Sequence, residues 1–455
     1  MKSQIALAVA GLLSATAAHA EPLAINADVV SETGAKNCWL LIDSENGDSI
    51  LDVFTSEADV PSSAKKLKYE GYAYPGLIDT HNHVHYNSIP LWKPKSFFVN
   101  RYQWNDELNK SPQNKEYFDN VVDIFKANME ASGDVMSTSI KYAEIRAIIG
   151  GTTMIQSSYY TKPPSLPIRN LTGSLVANSS NNILKIGNEK LQANAAKLKS
   201  KELKRYFLHI GEGRADDPVS INEFKVLRDN NLVTPGMVVI HGVALTKPEF
   251  KEMADNKMYL SWSPRSNINL YNQTTNIPAA IESGVTVALS PDWTISGSDN
   301  LLGEMKFAFD YAKKTWGAAN PVTPERLYKM VTTDAALTAG LEDHFGQLKK
   351  GFAGDFFLAP KLDQNPFVSL LKTEPKNISL VFVEGKAVYG DDARMVSLYN
   401  DVKDADLFTD RLEVDGTTKR ICLFDDATCN KQRYKDVMYL LNHCLPKVAP
   451  LLETH

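Results

Sequence analysis

The sequence lacks a strong charge of either sign, and it lacks a long apolar run after its first twenty residues. Lys and Arg number 49 against 54 Asp and Glu, so the formal net charge is −5. This balance provides no polybasic surface, which excludes nucleic acid and anionic membrane as expected partners. No segment after residue 20 has the roughly 18 consecutive apolar residues that a membrane helix needs. We therefore expect a small-molecule partner.

The first twenty residues have the pattern of a signal peptide. Residues 5–17 form an apolar stretch that is too short to span a bilayer. Ala18-His19-Ala20 follows with the small-x-small pattern of a cleavage site. A buried N-terminal helix is the alternative. We expect export to the periplasm or the cell exterior, with a mature chain that begins at Glu21.

Cysteine is scarce, with only four in the chain, and none has the C-x-x-C spacing of a structural zinc site. An oxidising compartment permits disulfides. Cys422 and Cys429 flank a short polar turn, so they are the expected pair. Cys444 is left to pair with Cys38 or to stay free, and four unpaired thiols are the alternative.

Strand-like and helical segments alternate through the middle of the chain. The apolar runs lie at 152–156, 206–210, 238–241, 258–262 and 285–289. This alternation predicts a parallel sheet with βαβ connections, and an extent of about 260 residues suits a closed eight-stranded barrel. The expected fold class is α/β, a (β/α)₈ TIM barrel with a small composite β-sandwich domain from both flanks of the barrel. The expected parts are a signal peptide at 1–20, sandwich strands at 21–72, the barrel at 73–344, further sandwich strands at 345–398 and a C-terminal appendix at 399–455 with a disulfide.

The first chemical motif is Asp79-Thr-His81-Asn-His83, at the end of an apolar strand. Alternate side chains of a strand share one face, so His81 and His83 project together as two ligands of one metal require. Imidazole is a standard zinc ligand. His85 is interpreted as a turn residue.

Three later strands also end in residues that bind metals or move protons. His209 ends one strand and is followed by Glu212 on a glycine-flanked loop, where a catalytic glutamate could reach a substrate. His241 and Asp292 end two more. Barrel enzymes place their active sites at the carboxyl ends of the strands, so we expect these side chains to converge.

Together these motifs resemble the amidohydrolase superfamily, and within it the group of cytosine and guanine deaminases and triazine hydrolases. The resemblance runs from about residue 25 to 390. It is carried by Pro75-Gly-Leu-Ile-Asp-Thr-His-Asn-His83, Leu208-His-Ile-Gly-Glu212, His241-Gly-Val-Ala-Leu245, Ser263-Pro-Arg-Ser-Asn267, Leu289-Ser-Pro-Asp292 and Gly346-Gln-Leu-Lys-Lys-Gly351.

The resemblance implies a hydrolase that uses a metal-activated water against a non-peptide C–N bond. It implies one divalent ion per chain, zinc or alternatively Fe²⁺. The implied ligands are His81, His83, His209 and Asp292. Asp292 would also be the general base, His241 would polarise the water and the oxyanion, and Glu212 would pass a proton to the substrate. Deamination or amide hydrolysis of a small cyclic substrate is the expected reaction.

Substrate contacts are predicted on two grounds: Trp262, Arg265 and Trp293 could line a pocket for a planar or aromatic substrate, and the segment Ser263–Asn267 follows a strand end. They are Trp262, Arg265, Asn267 and Trp293, and ordinary core packing is the alternative for each. Trp104 and the pair Tyr159-Tyr160 are further candidates for an aromatic pocket.

Two other functions are left open. A binuclear amidohydrolase of the peptidase, imidazolonase or lactonase type would need a carboxylated lysine, for which Lys185 is a candidate. A catalytically inactive secreted metal-binding protein is the alternative from another class. The sequence leaves the substrate and a homo-oligomeric state undetermined.

Overall fold

The N-terminal strands begin the largest sheet of the protein. The computed structural model describes residues 22–43, 49–104, 115, 117–131, 133–157, 168–171, 176–179, 182–423 and 433–452. The first strands are β1 (Leu23–Ser31), β2 (Gly34–Ile42), β3 (Ile50–Phe54) and β4 (Lys65–Pro75). Strand β1 pairs antiparallel with β2 and parallel with β4. The tight turn into β2 uses Gly34, whose φ of +127° suits glycine.

Eight parallel strands follow, in sheets of three and five strands. They are β5 (Leu77–Asn82), β6 (Thr152–Ser157), β7 (Arg169–Asn170), β8 (Val176–Ser179), β9 (Arg205–Ile210), β10 (Met237–His241), β11 (Tyr259–Trp262) and β12 (Thr286–Leu289). The spatial orders are β5-β6-β7 and β12-β11-β10-β9-β8. A parallel bridge between Asn82 and Asp292 joins the end of β5 to the segment after β12. The two sheets therefore meet at the carboxyl ends of their first and last strands.

The C-terminal strands return to the first sheet. They are β13 (Phe356–Pro360), β14 (Leu380–Val383), β15 (Lys386–Asp391), β16 (Asp410–Val414) and β17 (Thr417–Ile421). The nine-stranded order is β16-β17-β15-β14-β13-β4-β1-β2-β3. The sequence predicted a sandwich ending at residue 398, whereas the hydrogen bonds join all nine strands in one sheet that includes the later hairpin β16–β17.

Helices connect and cover the parallel strands. They are α1 (Asp123–Ala131), α2 (Gly133–Ile148), α3 (Asn188–Ser200), α4 (Pro218–Asp229), α5 (Lys247–Asp255), α6 (Pro264–Tyr271), α7 (Ile277–Glu282), α8 (Leu301–Trp316), α9 (Pro324–Val331), α10 (Thr333–Ala339), α11 (Pro366–Lys372), α12 (Asp392–Ser397), α13 (Val402–Phe408) and α14 (Tyr434–Cys444). The local sequence determines where two of these helices begin. Asp217 caps the first turn of α4 and Thr323 caps the first turn of α9, and each of these helices begins with proline. Among the described residues, none of these helices combines the length and apolarity required to cross a membrane.

The core lies between the parallel strands and these helices. Every residue of β9 and β10 is buried, as expected where both faces of a parallel sheet are covered. The predicted α/β class with parallel strands is confirmed. The carboxyl ends of four of these strands position the residues considered next.

The described residues include part of the predicted cysteine pairs and none of the predicted signal peptide. Cys38 is buried in β2, Cys444 ends α14, and both are free thiols. The alternative disulfide between them is therefore absent. Cys429, Tyr159, Tyr160 and the predicted signal peptide at 1–20 lie outside the described residues.

Candidate metal centre

Three buried histidines meet where parallel strands end. His81 lies on β5, His209 on β9, and His241 is the last residue of β10. The His81 and His209 ring centroids are 4.7 Å apart, and those of His209 and His241 are 5.2 Å apart. Strands β5 and β9 are distant in sequence and belong to different sheets. The predicted convergence of these side chains is observed.

His83 and Asp292 complete the cluster on its other side. The Asp292 backbone carbonyl accepts a hydrogen bond of 2.7 Å from the His83 amide. The Asp292 carboxylate Oδ1 lies 3.1 Å from His81 Nε2 and 3.5 Å from His83 Nε2. Asp292 therefore faces both histidines of the H-x-H motif, although it is more than 200 residues away in the sequence.

The backbone is strained at two of these residues. His241 and Asp292 have φ values of +71° and +70°, in the left-handed region that non-glycine residues rarely adopt. Such a conformation costs about 1–3 kcal/mol for each residue and is concentrated at functional sites. The Thr275 hydroxyl donates a short hydrogen bond to the His241 carbonyl, which holds that turn. The two strand ends are thus bent to aim their side chains inward.

The donor set fits a divalent cation. Burial lowers the pKa of His209 and of His83 well below the usual value, so both imidazoles are neutral and can offer lone pairs at pH 7. Buried nitrogens of His81 and His209 have no hydrogen-bond partner among the described residues. Potential ligand atoms lie within 4.8 Å of one another in two groups, His81 with His209 and His241, and His81 with His83 and Asp292. Imidazole and carboxylate together suit zinc or a similar ion.

Two polar residues of α6 form hydrogen bonds with members of this cluster. The Ser266 hydroxyl donates to Asp292 Oδ2 at 2.6 Å. The Asn267 side-chain amide lies 3.0 Å from His241 Nδ1. Asn267 was predicted to contact substrate, whereas its side-chain amide forms a hydrogen bond with His241. Ser266 was not singled out from the sequence, although it lies in the motif Ser263-Pro-Arg-Ser-Asn267.

Glu212 is a buried carboxylate with three polar neighbours. The Arg101 guanidinium lies 3.1 Å from Oε2, and the Tyr271 hydroxyl donates to Oε1 at 2.7 Å. His241 Nε2 lies 3.7 Å from Oε2. The preceding turn at Gly211 is held because its amide donates to the Glu223 carboxylate at 2.5 Å. Glu212 is therefore placed beside the histidine cluster and is not a surface residue.

Sequence reasoning missed Arg101 and Tyr271. Arg101 lies in a long connection after β5, where no periodic pattern marks it. Its amide donates to the Glu212 carbonyl at 3.0 Å, so this connection docks directly on the Glu212 turn. Tyr271 ends α6, about one turn after Asn267, and only the folded chain shows that it reaches Glu212.

The other predicted substrate residues have different surroundings. The Trp293 ring is half-buried, with its centroid 5.4 Å from His83 and 5.6 Å from Trp104. The Arg265 amide donates to Glu304 at 2.9 Å, and its guanidinium lies 3.5 Å from the Ser298 hydroxyl. Trp262 is fully buried, and its ring lies beside Trp316. Among the four predictions, Trp293 is the one whose side chain contacts the histidine cluster through its ring.

Two further sequence expectations can be compared with the structure. His85 is buried in the short 3₁₀ turn Val84–Tyr86, in agreement with its interpretation as a turn residue. Lys185 is exposed in the turn before α3. An exposed ammonium group is poorly placed to bridge ions in a buried centre.

Part of the sequence is similar to known proteins. Residues 190–388 match the amidohydrolase family. The chain is 25% identical over 197 residues to a 5-methylthioadenosine/S-adenosylhomocysteine deaminase of Caldicellulosiruptor saccharolyticus, covering 40% of this chain and 46% of that protein. A deaminase of the same name from Desulfitobacterium hafniense is 33% identical over 132 residues, covering 29% of this chain and 30% of that protein. The matched segments thus span less than half the length of these relatives.

Solved structures resemble the chain over a larger part of its length. An adenosine deaminase from Xanthomonas campestris with bound zinc has a TM-score of 0.63 at 15% identity, covering 80% of this chain and 92% of that chain. A guanine deaminase from Bradyrhizobium japonicum has a TM-score of 0.63 at 16% identity, covering 82% of this chain and 100% of that chain. At these identities the comparison concerns the fold. In sequence, residues 190–388 are similar to the amidohydrolase family and the matched segments are similar to deaminases, whereas the solved structures show a likeness of fold.

Proposed function

We propose that this protein is a metal-dependent hydrolase that deaminates, or cleaves an amide bond of, a small cyclic substrate. The observation that carries the proposal is the convergence of His81, His83, His209 and Asp292 with Glu212 beside them. A buried carboxylate next to a cation site is what metal-assisted hydrolysis of a C–N bond requires. The matches to deaminases support the same reaction class.

The proposed framework is a closed (β/α)₈ barrel. Eight parallel strands, with the bridge between Asn82 and Asp292, support closure on one side. The fold of the zinc-bound adenosine deaminase supports it further. Closure would bring every strand end that bears a site residue to one face of the barrel.

The proposed metal site holds one divalent ion, with zinc as the expected metal and Fe²⁺ as the alternative. His81, His83, His209 and Asp292 would be its ligands. A cation held there would lower the pKa of a water toward about 7 and so supply the nucleophile. The exposed position of Lys185 argues against a second, lysine-bridged ion.

The remaining roles follow from the positions of the side chains. The Asp292 Oδ1 atom faces the histidines, while the Ser266 hydroxyl donates a hydrogen bond to Oδ2. Oδ1 therefore remains placed to accept a proton. His241 faces the same space and would donate a hydrogen bond to a developing oxyanion. Glu212 lies 3.7 Å from His241 and would carry the proton to the leaving nitrogen.

The substrate class is proposed from the aromatic side of the centre. The Trp293 ring is close to the rings of both His83 and Trp104, and it would offer an apolar face to a planar substrate. Relatives and fold neighbours named for deamination of purines have substrates of this shape. An aminated heterocycle such as 5-methylthioadenosine or guanine is therefore the first class to assay.

The decisive experiment compares ammonia release by the zinc-loaded wild type and by Glu212→Gln on a panel of aminated heterocycles and cyclic amides. Glu212→Gln keeps the size of the side chain but cannot carry a proton, so we expect turnover to fall by about 10²–10⁴-fold. Its zinc content should equal that of the wild type. Glu189→Gln, at an exposed position of α3, is the matched control and should leave turnover unchanged.

Either of two results would contradict the proposal. Full activity of Glu212→Gln would remove the role of that carboxylate. No turnover of any panel substrate by fully metallated wild type would favour a metal-binding protein without catalysis.

The cellular location is a separate proposal. We propose that residues 1–20 direct export and are removed. The pattern Ala18-His19-Ala20 supports it. N-terminal sequencing of the protein from its native host tests it, with Glu21 as the expected first residue and an intact Met1 as the contrary result.

A further inference from the structure

A line of polar groups runs from the protein core to the imidazole of His241. The Trp262 indole N–H donates to the Thr274 hydroxyl at 2.8 Å. The Thr274 hydroxyl donates to Asn267 Oδ1 at 3.3 Å. Asn267 Nδ2 lies 3.0 Å from His241 Nδ1. Trp262, Asn267 and His241 are fully buried, so the bond between Asn267 and His241 is shielded from water, whereas Thr274 is half-buried.

The direction of each bond follows from the chemistry of its first member. An indole N–H can only donate, so the Thr274 oxygen accepts from Trp262 and its own proton is available for Asn267. That proton selects the carbonyl oxygen of the Asn267 amide. In the reversed amide, Nδ2 would face the Thr274 oxygen, and the Thr274 proton would lose the acceptor that it has among the described residues.

The consequence for His241 is a defined tautomer. An amide Nδ2 can only donate, so the Nδ1 that receives it must carry a lone pair. An imidazole with a lone pair on Nδ1 is neutral and carries its proton on Nε2. Nε2 is buried, has no hydrogen-bond partner among the described residues, and lies 3.7 Å from Glu212 Oε2.

We infer that Trp262, Thr274 and Asn267 are positioning residues that fix His241 as the Nε2–H tautomer. The inference rests on the proposed function for its use, because a proton on Nε2 makes His241 a hydrogen-bond donor to the oxyanion. It also separates two donor sets that geometry alone permits. A nitrogen that carries a proton cannot ligate a metal, so His241 is excluded from the cation site, which keeps His81, His83, His209 and Asp292.

The relay also gives Trp262 a role other than substrate contact. Its ring is covered in the core beside Trp316 and does not face a substrate. The indole N–H can only donate, so the first hydrogen bond of the line has one possible direction, from Trp262 to Thr274.

The direct test is ¹⁵N NMR of zinc-loaded, full-length protein labelled at histidine, with the His241 signals assigned from His241→Gln. The ¹⁵N shifts distinguish a protonated nitrogen, a lone-pair nitrogen and a nitrogen bound to zinc. The wild type should show a protonated Nε2 and a lone-pair Nδ1. A protonated Nδ1, or an Nε2 bound to zinc, would overturn the inference.

Variants test the individual bonds of the relay. Asn267→Asp replaces the donor with a carboxylate that can only accept, so His241 should move its proton to Nδ1. Thr274→Val removes the hydroxyl at nearly constant volume, and a mixture of tautomers is expected. Thr274→Ser keeps the hydroxyl and is the matched control with the wild-type tautomer. Unchanged Nε2–H signals in Asn267→Asp or in Thr274→Val would overturn the relay.

Kinetics separate this inference from the proposed function. On a substrate that the wild type turns over, Asn267→Asp should lower kcat on the order of 10²-fold, the loss typical of one oxyanion donor, with a smaller change in KM. Thr274→Ser should retain kcat. If no substrate is turned over, the proposed function fails while the tautomer measurement still decides the relay. If kcat is unchanged in an Asn267→Asp protein whose tautomer has switched, His241 does not act as the donor, although the relay exists.

Discussion

Buried carboxylates near the strand ends differ in how their charge is compensated. Glu212 has the Arg101 guanidinium at 3.1 Å. Glu304, on α8, accepts a backbone hydrogen bond from Arg265 at 2.9 Å. Burial raises the pKa of Glu304 to about 7, opposed by the Ser298 hydroxyl and the Arg265 charge and assisted by Asp292. Glu304 should therefore ionise only near neutral pH in the folded protein.

Glu304 should make the stability of the fold depend on pH. Below its unfolded pKa of about 4.5 the carboxyl is neutral in both states, and the folded state keeps its full contribution. Between about 4.5 and about 7 only the unfolded state ionises, so the free energy of unfolding falls as pH rises through this window. Glu304→Gln cannot ionise and should lose this part of the dependence. Melting temperatures at pH 5 and pH 8 measure it.

The control for this pH effect is Glu189→Gln, because Glu189 is exposed on α3. It should keep the pH dependence of the wild type. Equal slopes of melting temperature against pH for the wild type and Glu304→Gln would show that Glu304 is ionised in the folded protein.

The site could be predicted at the residue scale only where local sequence carries the signal. His81, His209, His241 and Asp292 each end an apolar strand, and that pattern is visible in the chain itself. Arg101 reaches Glu212 across more than 100 residues of sequence. No period or turn signal records such a contact, because it depends on how a long connection docks.

At the scale of elements, ion pairs join the hairpin β16–β17 to helices α12 and α13. The Arg420 side chain is fully buried and donates to Asp392 at 2.6 Å and to Asp406 at 2.7 Å. Arg411, on the neighbouring strand, contacts the same Asp392 at 2.9 Å but is 51% exposed. The two arginines share a carboxylate and differ in burial.

This pair allows a matched comparison. Arg420→Met should lower the free energy of unfolding by about 1–3 kcal/mol, because it removes the charge-assisted hydrogen bonds that the buried guanidinium donates to Asp392 and Asp406. Arg411→Met should cost about 0–1 kcal/mol, since water screens an exposed pair. Urea unfolding of both variants provides the measurement. Equal losses would mean that burial of Arg420 does not strengthen its contacts.

The sequence contains a signal for this hairpin in the dipeptide Asp415-Gly416. Asp415-Gly416 separates strands β16 and β17, and both residues have positive φ, +49° and +71°. This dipeptide is the strongest short-range indicator of a tight hairpin turn. The alternating strands and helices of the central region were predictable because their hydrophobic periods are long and regular. The register of the nine-stranded sheet was not, because it joins segments from both ends of the chain.

At the scale of the whole molecule, the nine-stranded sheet and the eight parallel strands have different structural roles. The sheet ties residues before β5 to residues after α10. The parallel strands present His81, His209, His241 and the segment that bears Asp292 at one set of ends. The class of fold follows from alternation of elements, whereas substrate choice depends on connections that vary independently of the fold.

The central claim is a single cation site at these strand ends, and elemental analysis of the purified protein tests it most directly. We predict about one divalent ion per chain in the wild type, as for catalytic zinc sites. His83→Ala should lose most of that metal, and His344→Ala, at an exposed histidine, should keep it. About two ions per chain, or a metal content that His83→Ala leaves unchanged, would contradict the account.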